Sequence, residues 1–382
     1  MRILFVCDYY PPHVGGAELV YRRYCEGLAK CGHSVRVVTI KHSNEVPHKE
    51  LVNGVWIYRI KTPLNSRYLF SVWSFPKVIK YAKEADLVHC GFFVAPFSAI
   101  PAARLMGKPL VVTVHEIWGN LWFNFESNPF RAIINYFGEK LLTAISYEGI
   151  ICPSKYTLKS LVRFGVKKEL ITYIPNGVET DLFRPRPRDS KLNRKLGLEG
   201  FKVYMFYGRP GISKGIEYLI KAAVLIKKEM INSRLLLILG REPIREYNRI
   251  LHLIDELELK DHIRLLDPVP YTELPKYVSL ADLVVVPSLS EGFGFTAAES
   301  AAMGKPVVGT YSGSLPEIIN HGKTGLLVKP RSPDEIYEAI CRLLNNEKDL
   351  QGMGKNAQKN VSKLNWETTI NSLEALYVQL LT

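Results

Sequence analysis

Glu291 and Glu299 stand eight residues apart and bracket a glycine-aromatic turn, Gly292-Phe293-Gly294-Phe295. Upstream, residues 281–288 (Ala-Asp-Leu-Val-Val-Val-Pro-Ser) form an apolar run without alternation, the pattern of a parallel strand covered on both faces. The turn then opens a helix. Strand, glycine-rich turn and helix together make an anion site, because backbone N–H groups and the positive end of the helix dipole point outward. A carboxylate on each side of that site would repel a phosphate. The same carboxylates would accept hydrogen bonds from hydroxyl-rich groups flanking one. A sugar nucleotide has that layout, with ribose at one end, hexose at the other and diphosphate between.

Three more loops follow strand-like runs and carry reactive residue types. Pro11-Pro12-His13-Val14-Gly15-Gly16-Ala17-Glu18 opens a helix without matching the G-x-G-x-x-G dinucleotide fingerprint. Gly15 and Gly16 let a backbone approach a phosphate without Cβ hindrance, or simply make a turn. Thr113-Val114-His115-Glu116 ends a strand with a histidine that can hydrogen-bond a sugar hydroxyl, or serve as a structural polar residue. Tyr207-Gly208-Arg209-Pro210-Gly211-Ile212-Ser213-Lys214-Gly215 sets Arg209 and Lys214 on a glycine-bracketed loop. Such a pair can neutralise a diphosphate without a metal, each charge-assisted bond being worth roughly 1.5–3 kcal/mol, or can be two solvated surface cations. No D-x-D motif and no His/Cys/Asp cluster at metal spacing occurs, so no divalent ion is expected.

The elements that must position these loops alternate strand and helix. Residues 3–7, 34–40, 55–60, 87–90, 110–115 and 149–152 have strand character, with amphipathic stretches such as 17–31 between them. After the Pro/Arg-rich stretch 180–190 the pattern restarts, with strands expected at 204–207, 235–239, 263–265, 283–286 and 307–309. The reading is α/β: two Rossmann-like doubly wound domains with a linker near 180–195. Sites in such sheets lie beyond the carboxyl ends of the strands, so two facing sheets make a central cleft. Residues 366–381 form a terminal amphipathic helix expected to pack back on the first domain.

Composition excludes several classes. The 382 residues are 47% hydrophobic and 23% charged, as in an ordinary globular protein with room for two cores. The longest charge-free stretch, 87–103, contains His89, Gly91 and two prolines, which suits strand, turn and helix start better than a membrane span. Met1-Arg2 runs straight into a first strand and lacks the core and cleavage site of a signal peptide. The six cysteines form no C-x-x-C pair, so reduced buried thiols in a cytoplasmic protein are expected. Residues 1–170 carry 22 Lys and Arg against 12 Asp and Glu, while the remainder carries 28 against 25. The first half is therefore either a soluble basic face or the side that meets something anionic. Nothing matches a nucleic-acid module, so nucleic acid is not the partner.

Taken in order, the blocks are Gly15-Gly16 with Gly32-His33, Ile174-Pro175-Asn176-Gly177-Val178, Gly208-Arg209 with Lys214-Gly215, Glu291 to Glu299, Gly313-Ser314-Leu315-Pro316-Glu317-Ile318, and Gly322-Lys323-Thr324-Gly325-Leu326-Leu327-Val328. Their order and spacing, over nearly the whole chain, resemble the retaining glycosyltransferase family 4 of GT-B architecture. The resemblance implies an acceptor-side domain over 1–180, joined by helix 366–382, and a donor-binding domain over 181–365. It implies Glu299 on the ribose hydroxyls and Glu291 on a hexose hydroxyl. Phe293, Gly294, Phe295 and Thr296 would contribute donors to sugar and phosphate. Arg209 and Lys214 correspond to the cationic pair on the diphosphate, Gly16, beside Gly15, to the glycine near the distal phosphate, and His115 to the histidine beside the donor sugar. The family often has Gly-x-Gly-Pro where this chain has Gly240-Arg241-Glu242-Pro243, a departure that leaves the base open among UDP-, GDP- and ADP-sugars.

The implied reaction is transfer of a hexose to a hydroxyl with retention, needing no cofactor beyond the donor and placed in cell-envelope glycan assembly. A sugar-nucleotide epimerase, a phosphorylase, or a non-catalytic sugar-nucleotide-binding subunit would share the fold. The acceptor side is the basic domain, which also holds four of the five tryptophans, Trp56, Trp73, Trp118 and Trp122. Aromatic-rich stretches at 68–75 and 117–123 point to peripheral contact with an anionic membrane and a lipid-linked or glycan acceptor, or to ordinary packing.

Overall fold

Fourteen short, mostly apolar runs make the strands of the protein: β1 (Arg2–Val6), β2 (Ser34–Ile40), β3 (Lys49–Val52), β4 (Val55–Ile60), β5 (Leu87–Gly91), β6 (Leu110–Thr113), β7 (Gly149–Cys152), β8 (Ile171–Tyr173), β9 (Lys202–Gly208), β10 (Ser233–Leu239), β11 (Ile263–Leu266), β12 (Leu283–Val286), β13 (Val307–Thr310) and β14 (Gly325–Val328). The computed structural model describes residues 1–382, the side chain of Asn65 excepted. It divides into one unit of Met1–Gly177 with Trp366–Thr382 and another of Val178–Asn365.

In the first unit the strand order is β3-β4-β2-β1-β5-β6-β7-β8. Every pairing is parallel except β3 with β4. β4 matches the strand expected at 55–60, but β3, like β8 and β14, lies outside the strands expected from the sequence. Lys49-Glu50-Leu51-Val52 is too exposed to carry a core pattern, but its turn, Asn53-Gly54, has positive φ at both residues (49° and 81°). Paired positive φ is what a two-residue hairpin with the native twist requires. The central strands are buried on both faces, so their runs do not alternate.

The helix Trp366–Leu381 packs against the helix Gly16–Lys30 in this unit. The approach is close: a Cβ on Gly27 would lie 2.5 Å from Ile370 Cγ1. His33 Nε2 meets Glu374 Oε1 at 2.7 Å. His89, on β5, meets the Tyr377 hydroxyl through Nδ1 and Thr113 Oγ1 through Nε2 at 2.7 Å. Burial pushes the His89 imidazole down to about 3, so it joins the helix to the sheet as a neutral group.

The second unit is a six-stranded, wholly parallel sheet in the order β11-β10-β9-β12-β13-β14. Alternate residues of β9 feed two cores, with Val203, Met205 and Tyr207 on one face and Tyr204 and Phe206 on the other. The Pro/Arg-rich stretch expected to be a linker is part of this unit. Phe183 is fully buried with Leu196 and Leu198, and Asp189 caps the helix Ser190–Lys195 by accepting from Leu192 N at 2.9 Å. Chain direction across the sheet reverses between β9 and β12, and in the first unit between β1 and β5. The carboxyl ends at such switch points are where doubly wound sheets bind ligands. Among the described residues no helix is long and apolar enough to cross a membrane.

Candidate functional site

The loops after β9 and β12 are locked to each other. Ser213 O accepts from Leu289 N at 2.7 Å. Gly215 has φ 63°, and a Cβ there would lie 2.1 Å from Pro287 O, so only glycine fits. This closure brings Lys214 Nζ to 2.7 Å from Glu291 Oε1, an oxygen that also accepts from Ser288 Oγ at 2.8 Å. Glu291 is held through its backbone as well, since Ser314 N donates to Glu291 O at 2.9 Å. Gly313, at φ 57°, leaves that approach open, because a Cβ there would lie 2.2 Å from the same carbonyl. Lys214 therefore does not wait as an unpaired cation: it already neutralises Glu291. Arg209 is the contrast, exposed at the end of β9 with no ion pair among the described residues.

Glu299 lies one turn into the helix Phe295–Ala302, which Gly294 opens from the left-handed region at φ 89°. Its side chain is buried between two tyrosines: Tyr207 OH donates to Oε2 at 3.1 Å and Tyr271 OH to Oε1 at 2.8 Å. Burial pushes this carboxyl up to about 7, against the pull of the Tyr271 and Tyr207 hydrogen bonds, and the Glu179 charge adds to the rise. Phe293 is buried and packs edge-on with the half-buried Phe295, ring centroids 4.8 Å apart. Thr296 is partly exposed, its hydroxyl 3.5 Å from Tyr207 O. At the ends of β10 and β11, Arg241 and Asp267 form an exposed two-bond pair, both contacts at 2.8 Å.

Tyr207 and Tyr271 were not among the residues singled out by sequence. Tyr207 sits in a strand whose aromatic content looks like core, and Tyr271 comes from a loop 28 residues before Glu299. Their convergence is tertiary.

In the first unit the helix opening at Gly16 follows an extended Gly15. Its first turn already carries an acid: a Cβ on Gly15 would lie 2.2 Å from Glu18 Oε2, and His13 Nδ1 meets Glu18 Oε1 at 3.1 Å. A phosphate at Gly15 and Gly16 would share this helix end with that carboxylate. His115, just past β6, lies 5.2 Å from the Tyr21 ring, and its Nε2 is buried with no partner. Burial pushes its imidazole down to about 4, so it is neutral at neutral pH. Asp8, at the end of β1, was overlooked. It accepts from Ala95 N at 2.8 Å and Val94 N at 3.3 Å, and burial raises its carboxyl to about 6. Among the described residues no cluster of three or more His, Cys, Asp or Glu side chains could hold a metal ion.

Two parallel doubly wound sheets with their reactive side chains at the switch points are the halves of a GT-B protein. The model of glycosyl transferases group 1 matches residues 189–360, and that of Glycosyltransferase Family 4 matches residues 14–182. The chain belongs to this family of nucleotide-sugar-dependent glycosyltransferases. It is 29% identical to an uncharacterized glycosyltransferase of Methanocaldococcus jannaschii, over 99% of this chain and 98% of that one. It is 26% identical to the MMP alpha-(1->4)-mannosyltransferase of Mycolicibacterium hassiacum, over 99% and 98%. The structure is similar to sucrose-phosphate synthase from Thermosynechococcus elongatus, with a TM-score of 0.86 and 25% identity over 99% of this chain and 98% of that one.

Proposed function

We propose that the protein is a retaining hexosyltransferase that needs no metal, with a glycan, polysaccharide precursor or lipid-linked hydroxyl as acceptor. The observation that carries this is the Lys214–Glu291 pair, 2.7 Å apart where the loops after β9 and β12 lock together. It provides a cation for a leaving diphosphate and, on the same pair, a carboxylate for a sugar hydroxyl. Glu291 Oε1 is taken by Lys214 and Ser288, which leaves Oε2 to accept from the hexose. Glu299, one turn into the helix Phe295–Ala302, accepts from the ribose. That the mannosyltransferase relative handles a hexose supports the sugar class.

In the reaction the anomeric C–O bond to the donor phosphate breaks, and its electron pair leaves on the diphosphate. Arg209 and Lys214 stabilise that charge, a contribution of about 10²–10³ in rate per donor by analogy with oxyanion sites. The acceptor oxygen attacks from the face the phosphate leaves, and its proton passes to the departing phosphate oxygen, so no separate base is required. His115 is neutral and contributes a hydrogen bond beside the oxocarbenium-like sugar without adding a like charge. The first unit is the acceptor side. Its 22 Lys and Arg against 14 Asp and Glu favour an anionic membrane surface on the cytoplasmic side.

A panel of UDP-, GDP- and ADP-sugars tests this by thermal shift, followed by release of radiolabelled sugar. One donor should stabilise the chain by about 2.7 kcal/mol at a hundredfold excess over its Kd and should be hydrolysed slowly in the absence of acceptor. Stabilisation without hydrolysis or transfer would assign a binding subunit instead. No stabilisation by any donor would overturn the site.

A further inference from the structure

The helix Pro129–Ala144 is amphipathic in the wrong sense for a soluble protein. Its buried face is Ala132, Asn135, Glu139, Leu142 and Thr143. Two of the polar members of that face are satisfied internally: Glu139 accepts from Gly119 N at 2.6 Å and Trp118 N at 3.0 Å, and Thr143 Oγ1 donates to the Glu139 carbonyl at 3.0 Å. The opposite face carries Phe130, Ile133, Ile134, Phe137 and Leu141, from 44% to 76% exposed. Their spacing of three, four, seven and eleven residues from Phe130 makes one stripe. Scattered exposed apolar residues are ordinary, but a continuous stripe marks a surface that something covers.

Charge indicates what covers it. The exposed charged residues of this helix are Arg131 and Lys140, toward its two ends, and its single acid, Glu139, is the one turned inward. At the carboxyl end, Arg104 donates to Ser146 O at 2.5 Å and adds a third cation. A second copy of the chain fits poorly. Around a two-fold axis, Arg131 would face Arg131 or Lys140 of the other copy, with no exposed acid on either helix to pair it. An apolar stripe ending in cations fits an anionic lipid surface, with the side chains among the acyl groups and the cations at the phosphates.

We propose that helix Pro129–Ala144 is the element by which this protein docks on a membrane containing anionic lipid. The proposal rests on the membrane-facing reading of the first unit given above. It centres the contact on this helix rather than on the aromatic stretches expected from sequence. In 117–123, Trp122 is buried with Trp118 packed on it at 4.5 Å, while the exposed Phe123 lies against Tyr136 of this helix, ring centroids 5.5 Å apart; in 68–75 Phe70 is fully buried and Tyr68, Val72 and Trp73 are exposed.

The test is flotation of the whole chain with vesicles of equimolar phosphatidylcholine and phosphatidylglycerol, and with vesicles of phosphatidylcholine alone. The wild type should float with the anionic vesicles and less so as salt is raised. The double variant Ile134→Asp/Phe137→Asp, altered only at exposed positions, should lose about tenfold in partitioning for each side chain removed from the lipid. Arg131→Glu/Lys140→Glu should lose about fivefold per charge toward anionic vesicles, with its melting temperature unchanged. If the wild type floats and both double variants float equally well, this helix is not the docking element and the membrane reading of the unit survives. A wild type that floats with neither vesicle overturns both. A wild type that sediments as a dimer without binding vesicles, and becomes monomeric in Ile134→Asp/Phe137→Asp, assigns the stripe to a second copy and overturns the proposal.

Discussion

Replacing Glu299 with glutamine should make the empty protein more stable above neutral pH while weakening its hold on the donor. The Glu299 carboxyl rises from an ordinary 4.5 to about 7 because it is buried. Between those values the folded chain keeps a proton that the unfolded chain has released. The stability this contributes is fully present below pH 4.5 and is lost as pH rises through 7. The span corresponds to about 3 kcal/mol. Glutamine keeps the shape and can still exchange hydrogen bonds with the Tyr207 and Tyr271 hydroxyls, but it has no charge to bury. Glu299→Gln should therefore come within about 1 kcal/mol of the wild type near pH 5 and exceed it by up to about 3 kcal/mol at pH 8. All five tryptophans lie in the first unit, so unfolding of the second is best followed by far-ultraviolet circular dichroism in urea. Donor binding should move the other way. Losing a charge-assisted acceptor costs about 1–2 kcal/mol, roughly five- to thirtyfold in Kd. Wild-type affinity should also fall as pH drops below 7, because ribose hydroxyls need the ionised carboxylate as acceptor. A stability difference between variant and wild type that is the same at pH 5 and pH 8 would refute the idea that burial holds this carboxyl neutral.

Two further substitutions separate chemistry from architecture. Lys214→Ala should lower turnover by about 10²–10³ while leaving the affinity for the bare nucleoside nearly intact. It should also cost about 1–3 kcal/mol of stability, because Glu291 Oε1 keeps only Ser288 as a partner; equal losses in turnover and nucleoside binding would count against the diphosphate role. Gly27→Leu should destabilise the first unit by about 1–3 kcal/mol or more, since even a Cβ there meets Ile370 at 2.5 Å. Tryptophan fluorescence during thermal unfolding reads this directly, and an unchanged transition would mean that the Trp366–Leu381 helix is not seated against Gly16–Lys30.

The motifs that carry the chemistry were legible because they obey local rules. Apolar runs without alternation marked most of the strands, and glycines at Gly215, Gly294 and Gly313 sit where positive φ demands them. The edge strand β3 was missed although Asn53-Gly54 signals its hairpin with β4, because a polar edge strand lacks the hydrophobic pattern that marks core strands. The apolar stripe of Pro129–Ala144 was equally present in the sequence as spacing. Periodicity gives the angle between residues but not which side faces in, and here the core selected Asn135, Glu139 and Thr143.

What the sequence determined by itself was the set of loops, the residue types on them, and the two-sheet class. What only the tertiary structure decided was their electrical state. Lys214 and Glu291 were read as separate tools, yet folding joins them at 2.7 Å. Glu299 was read as a charged acceptor, yet burial between Tyr207 and Tyr271 leaves it near its midpoint at neutral pH. Proton affinity depends on solvent exclusion and on partners from distant segments, and neither is a property of any short stretch of chain.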